Sequence, residues 1–342
     1  MRIVVAQPGP DWSVQDVYAG WVEALRGLGH QVHEFNLNDR LVFYDRAFMQ
    51  VSDTEYRKAV TDGDQVAELA VNGLAAMLWK LRPELLLVVS GFFIPGELLD
   101  HARRYGTKVA ILHTESPYED ERQLELAGHA DLNLLNDPTN MAVFNLRGPT
   151  VYMPHAYRPS VHKPGPRRPD LASEFVLVGT GFPSRVRFLE AMDLDGIDVA
   201  LAGQWQALAD DSPLRKYLAH DVSECLDNTD AIGLYQSGTV GINLYRRDAA
   251  DSPEHVEGWS MGPREVELAA TGLFFLRDHR PEGDALLPML PTFTTPAEAS
   301  DLLRWWLAHD DSRAEAARLA RKAIADRTFE HHAARMLRLI EN

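Results

Sequence analysis

Between Trp259 and Asp278 the chain reads WSMGPREVELAATGLFFLRD, and this is its most informative stretch for chemistry. Gly262 and Pro263 mark a helix start, Gly272 marks its end, and LFFLRD reads as a buried strand. A helix start leaves backbone N–H groups without partners and carries the positive end of the helix dipole, so it can hold a diphosphate without a metal. Glu267, in the first turns, has the chemistry to accept hydrogen bonds from two ribose hydroxyls. It reads equally as a solvated carboxylate that stabilises the dipole.

A second group of candidates follows the strand pattern VAILH. His113 and Glu115 come at its carboxyl end, the usual ligand side of an open α/β sheet; His113 also reads as a satisfied core histidine. The loop Gly9-Pro-Asp11-Trp12-Ser13 follows the first strand and is the other expected wall of a crevice. Trp12 there either stacks on a sugar or staples the next helix.

Other motifs fail on context. The loop after the first strand, AQPGPD, has no G-x-G-x-x-G, and Ser184 stands where Gly179-Thr-Gly181 would need its third glycine, which argues against NAD or FAD. Gly258-Trp-Ser260-Met-Gly262 matches G-x-S-x-G, yet the polar, proline-containing residues before it do not read as the strand a nucleophile elbow needs. A serine hydrolase using Ser260 is therefore a remote alternative. Asp193-Leu-Asp195 closes a helix, and no zincin-type histidine pair appears, so no metal site is expected. The single cysteine, Cys225, permits no internal disulfide.

The elements that must carry these residues alternate apolar strand-length runs with helical periods from the first residue, which predicts an α/β fold. Strands are expected at 2–6, 31–35, 85–89, 108–112, 132–135, 175–178, 199–202, 241–245 and within 273–278. With 342 residues the chain exceeds one core, and two domains follow. The proline-rich RPSVHKPGPRRPD predicts a linker over 158–172, between a domain at 1–157 and another at 173–342 that keeps the C-terminal helices.

These motifs together resemble the GT-B glycosyltransferases, most closely the CgeB-like branch of the glycosyltransferase group 1 families. Arg264, Glu267, Ala270 and Gly272 follow that family's R-x-x-E-x-x-A-x-G pattern. VGTGFPSR at 178–185, Ala202-Gly203-Gln204-Trp205, Gly241-Ile-Asn243-Leu and the segment 151–157 resemble its other turns. The resemblance implies two Rossmann-like domains facing each other across a cleft. It implies that Glu267 binds the donor ribose, that Arg264 and the Gly262 amide lie against the diphosphate or sugar, and that Pro263 lines the donor site. Arg185 would add a second cation there, with a planar fork suited to phosphate; it also reads as a surface arginine at a helix start. Gly181, Gly203 and Asn243 would line the donor pocket, and the stretch His220-Asp221-Val222 would hold the nucleobase. Glu257 and Glu265 have the spacing of two glutamates in retaining members, but the A-x-G alignment places Glu267 at the second position and Trp259 at the first.

The expected activity is transfer of a sugar from a nucleoside-diphosphate sugar, a co-substrate rather than a cofactor, without a metal. His113, Glu115 and Arg264 are the catalytic candidates. A GT-B epimerase or hydrolase and a non-catalytic nucleotide-sugar-binding protein are the alternatives. The acceptor, whether protein, lipid, metabolite or modified DNA base, stays open. A net charge of -16 disfavours unmodified duplex nucleic acid, 45% hydrophobic residues with no long apolar run exclude a spanning helix, and the absence of a leader-like start suggests the cytoplasm.

Overall fold

The structure, a computed structural model, describes the chain except residues 8–13, 50–62, 222–225, 227, 248–256 and 342. It divides into two compact units, Met1–Pro154 with Phe329–Asn342, and His155–Thr328.

In the first unit, strands β1 (Arg2–Gln7), β2 (Gln31–Asn36), β3 (Leu85–Val89), β4 (Lys108–His113), β5 (Leu132–Leu135) and β6 (Thr150–Tyr152) form a sheet of order β2-β1-β3-β4-β5-β6. Every pairing in it is parallel. Both faces of such a sheet are covered, so its central strands are continuous apolar runs: Leu85 to Val89 are all buried. Helices α1 (Gln15–Gly27), α2 (Leu37–Met49), α3 (Gly63–Leu81), α4 (Gly96–Arg104), α5 (Asp120–Ala127) and α6 (Met141–Asn145) connect the strands.

The second unit repeats the plan. Strands β7 (Ser173–Val178), β8 (Val199–Ala202), β9 (Gly238–Asn243), β10 (Phe275–Asp278) and β11 (Thr292–Phe293) pair in parallel in the order β11-β10-β9-β7-β8. Its helices are α7 (Pro183–Glu190), α8 (Asn228–Ser237), α9 (Pro263–Thr271), α10 (Pro281–Leu286), α11 (Pro296–Leu307) and α12 (Asp310–Ala323). Strand order reverses at the β7/β9 pair, because β8 leaves on one side and β9 returns on the other. Such a reversal opens a crevice at the strands' carboxyl ends.

Two expectations on domain organisation need correction. The last helix, α13 (Phe329–Glu341), belongs to the first unit, not the second. Its buried stripe of Phe329, Ala333, Met336, Leu337 and Ile340 has the spacing of one helix face. Phe329 lies over Gly20 of α1, where any Cβ would be 2.3 Å from its ring, and meets Trp21 edge-on at 6.2 Å. The proline-rich stretch is not a free linker either. The Arg168 amide donates to Ser237 Oγ at 3.0 Å, the Lys163 carbonyl accepts from Gln236 at 2.8 Å, and His162 is buried. Its prolines set an extended path along the second unit's surface. Among the described residues no helix is long and apolar enough to cross a membrane.

Candidate functional site

Helix α9 begins as the residues demand. Gly262 is its N-cap, Pro263 fills the first turn where no N–H is needed, and Gly272 ends it at φ 79°, a left-handed conformation that favours glycine. Arg264 and Glu267 are three residues apart and share one face, whereas Glu265 points into the unit and is fully buried.

Arg264 crosses the carboxyl ends of β7 and β9. Its Nη1 donates to Asn243 Oδ1 at 3.4 Å, and the Tyr235 hydroxyl bonds to it from α8. The guanidinium rests on the backbone of Gly179, where an added Cβ would fall 2.2 Å from Nη2. Arg185 is no surface arginine but is 8% exposed. It donates through Nε to the Leu244 carbonyl at 2.8 Å and through Nη1 to the Thr180 carbonyl at 3.0 Å, so it ties together the loops after β9 and β7. Arg246 and Arg185 pack on the Phe182 ring at 5.0 and 5.1 Å. Three guanidinium groups thus gather where the sheet order reverses.

The glycines there have separate reasons. Gly203, at φ 107°, lies so close to Gly179 that a Cβ would be 2.5 Å from its carbonyl oxygen. Its N–H donates to His220 Nε2 at 2.8 Å. Gly181, expected in the donor pocket, is buried under Trp205, whose ring a Cβ would meet at 2.5 Å. Trp205 is in turn held by a 2.9 Å bond to the Ala202 carbonyl.

Glu267 is 9% exposed, with His162 Nε2 4.0 Å from Oε1. It is no freely solvated first-turn carboxylate. The Gly262 N–H, expected at the diphosphate, is bonded instead to Glu265 Oε2 at 3.1 Å and the Tyr245 hydroxyl at 3.2 Å. Pro263 is exposed and Asp221 is exposed, while Val222 lies outside the described residues. Ser260 is buried in an irregular loop, since no strand includes 257–259. A nucleophile elbow needs that strand.

Burial raises Glu265 to about 8, and the neighbouring Glu282 carboxylate adds to the rise; Arg277, the Gly262 amide and Arg280 oppose it. Below the ordinary carboxyl value of 4.5 both folded and unfolded chains hold this proton, so it makes no difference to stability. From there to about 8 only the unfolded chain releases it, which destabilises the native state increasingly with pH, and above about 8 the penalty is constant. Glu265→Gln keeps an oxygen for the Gly262 amide and removes the proton. Relative to the parent chain it is expected to gain on the order of a few kcal/mol in urea unfolding between pH 5 and pH 8.

In the first unit His113 is completely buried, with Nε2 2.9 Å from Asn133 Oδ1 and its ring edge-on to Phe144 at 4.9 Å. The Asn133 amide nitrogen donates to the Ala127 carbonyl, so Oδ1 faces the imidazole and Nε2 carries the proton. Burial lowers its pKa to about 4. A neutral imidazole inside the core does not reach an acceptor hydroxyl, and the catalytic expectation for His113 is corrected to a structural one. Glu115 is half-buried in the following loop. Nearby Asp120, 8% exposed with its pKa raised by burial, accepts from Asn140 at 2.6 Å. It was hidden in sequence by the acidic run YEDE, which reads as a solvated helix start. Gly9, Asp11, Trp12 and Ser13 lie outside the described residues.

A family model described as glycosyl transferase-like matches residues 185–338. Among solved structures, sucrose-phosphate synthase from Thermosynechococcus elongatus is similar at TM-score 0.65 and 13% identity, covering 100% of this chain and 98% of that one. The fold is GT-B, and residues 185–338 are similar to the glycosyl transferase-like family. An α,α-trehalose-phosphate synthase (UDP-forming) from Burkholderia vietnamiensis matches this GT-B chain at TM-score 0.62 and 13% identity, covering 100% of both chains. The glycosyltransferase SnogD from Streptomyces nogalater matches at TM-score 0.53 and 16% identity, covering 99% of each. No curated protein sequence matches the chain significantly. Arg185, Gly203, Asn243, Arg264 and Glu267 lie within the family region of this GT-B protein, whereas His113 and Glu115 lie outside it.

Sequence reasoning missed Tyr235, Arg246 and His162. No motif or periodic stretch singled out Tyr235 or Arg246, and His162 fell in the expected linker. No spacing rule signals that a tyrosine on α8 will meet an arginine on α9.

Proposed function

We propose that this protein is a glycosyltransferase that takes a sugar from a nucleoside-diphosphate sugar, with the donor held by the second unit and the acceptor by the first. One observation carries the reading. Arg264 and Glu267 share a face of α9, and Arg264 lies across the point of strand-order reversal beside Arg185 and Arg246. Arg264 and Arg246 stabilise the charge on the departing diphosphate, and Arg185 shapes the loop between them. Glu267 accepts the ribose hydroxyls. No step is assigned to a metal, because the cations and the helix dipole supply positive charge where the diphosphate leaves. Where the reaction inverts the anomeric centre, Glu115 is the acceptor-side base; where it retains, the leaving phosphate takes the acceptor proton.

The test is a thermal-shift panel of UDP, GDP, ADP and dTDP sugars, led by the UDP sugars because one structural neighbour is UDP-forming. At about 100 times its Kd a specific donor stabilises the native state by about 2.7 kcal/mol, a clear rise in Tm. A panel that leaves Tm unchanged overturns the reading. Binding with no sugar released or transferred would instead leave a nucleotide-sugar-binding protein.

A further inference from the structure

The loop that leads into α9 is held from beneath by a second set of charges, which the donor reading above does not use. Three bonds join residues 258–261 to residues 280–282. Arg280 Nη1 donates to the Gly258 carbonyl, the Glu282 N–H donates to the Trp259 carbonyl at 3.1 Å, and the Met261 N–H donates to Glu282 Oε2 at 2.8 Å. Glu282 Oε1 in turn accepts from Arg327 Nη2 at 2.6 Å. The Arg280 guanidinium lies 4.2 Å over the ring of Tyr245, whose hydroxyl accepts from the Gly262 N–H and bonds to the Glu265 carboxyl. The two side chains are 6% and 4% exposed.

Charged groups buried to this degree are costly unless each is paired and hydrogen-bonded, and an apolar pair would fill the same space at lower cost. Here, besides the Glu282–Arg327 pair, the two side chains bond to backbone groups of one short loop. Gly258 has its carbonyl held and Met261 its N–H, and both side chains come from the segment that follows β10. The loop's path is therefore dictated by α10 and its approach rather than by α9 alone. Wherever Gly258 to Gly262 are held, the first turn of α9 and the Arg264 side chain follow.

We propose that Arg280 and Glu282 are positioning residues that set the loop before α9, and with it the Arg264 guanidinium, in register for the diphosphate. The inference rests on the reading of α9 as the donor helix. Neither residue touches the ligand; they act through the backbone of 258–262.

The experiment uses the full chain and the nucleoside diphosphate of the sugar nucleotide that gives the largest shift in the panel above, with the matching monophosphate as the second probe. Calorimetry gives the Kd of each probe for Glu282→Ala, Glu282→Gln, Arg280→Lys and Glu267→Ala, alongside Tm. Glu282→Ala and Arg280→Lys are expected to weaken the diphosphate about tenfold while the monophosphate changes less than about twofold, because misregister falls on the second phosphate. Glu282→Gln keeps an acceptor for the Met261 N–H and should recover most of that loss. Should Glu282→Ala not fold, Arg280→Lys carries the test, since it keeps the charge while losing the fork that reaches Gly258. Diphosphate affinity unchanged in both variants, or equal losses for the two probes, overturns the proposal. A parent chain that binds no nucleoside diphosphate overturns the donor reading itself, and loss in Glu267→Ala alone overturns only the positioning role.

Discussion

Replacing Arg264 with alanine is expected to weaken nucleoside-diphosphate binding by more than about 100-fold, because two charge-assisted bonds to phosphate each contribute on the order of 1.5 to 3 kcal/mol. The helix should survive, since alanine is the best helix former and the side chain is only half-buried. Arg264→Lys keeps the charge but not the planar fork, and should fall between the two. Asn243 and Tyr235, which orient the guanidinium, make the loss specific: Tyr235→Phe removes one of those supports and should cost less than the alanine change. Calorimetry with the nucleoside diphosphate reads all three variants. Unchanged affinity in Arg264→Ala, with Tm also unchanged, would mean that the anion is bound elsewhere.

Gly203→Ala is expected to be the most damaging single methyl addition in the second unit. Its φ of 107° disfavours any side chain, and the new Cβ would sit 2.5 Å from the Gly179 carbonyl oxygen. Gly179 has little freedom to retreat, since its own N–H is tied to the Ala202 carbonyl at 2.8 Å and Arg264 lies over it. Conformational strain and overpacking together point to a loss of roughly 3 kcal/mol or more in urea unfolding. The same displacement moves the floor beneath Arg264, so donor affinity should fall with stability. Gly196→Ala is the matched control: φ is 77° there, but nothing lies within 4 Å of the added Cβ. Its cost should stay near about 1 kcal/mol, the conformational part alone.

Much of the strand layout is legible because buried parallel strands are continuous apolar runs bounded by turn residues. Leu85–Val89, Val199–Ala202 and Leu132–Leu135 fall where their apolar runs place them. The strand expected at 241–245 instead spans Gly238–Asn243, because its first residues, Gly238 and Thr239, are only half-buried and carry no apolar signal. Short edge strands such as Thr292–Phe293 leave no periodic trace. Within the site, the helix start at Pro263 and the shared face of Arg264 and Glu267 follow from local rules alone. Arg280 and Glu282 did not stand out, because a charged pair after a strand looks solvated until the fold buries it.

The chain's own residues determined two α/β sheets of parallel strands and a glycine-bounded helix able to receive an anion, since each rests on contacts within a few positions. Only the tertiary structure decided that α13 packs on α1, that His113 is sealed in a core, and that the proline-rich stretch lies along the second unit. An amphipathic stripe states that a face must be covered, but not by what. A histidine at a strand end is exposed or buried according to neighbours such as Asn133 and Phe144, which arrive from elsewhere in the chain.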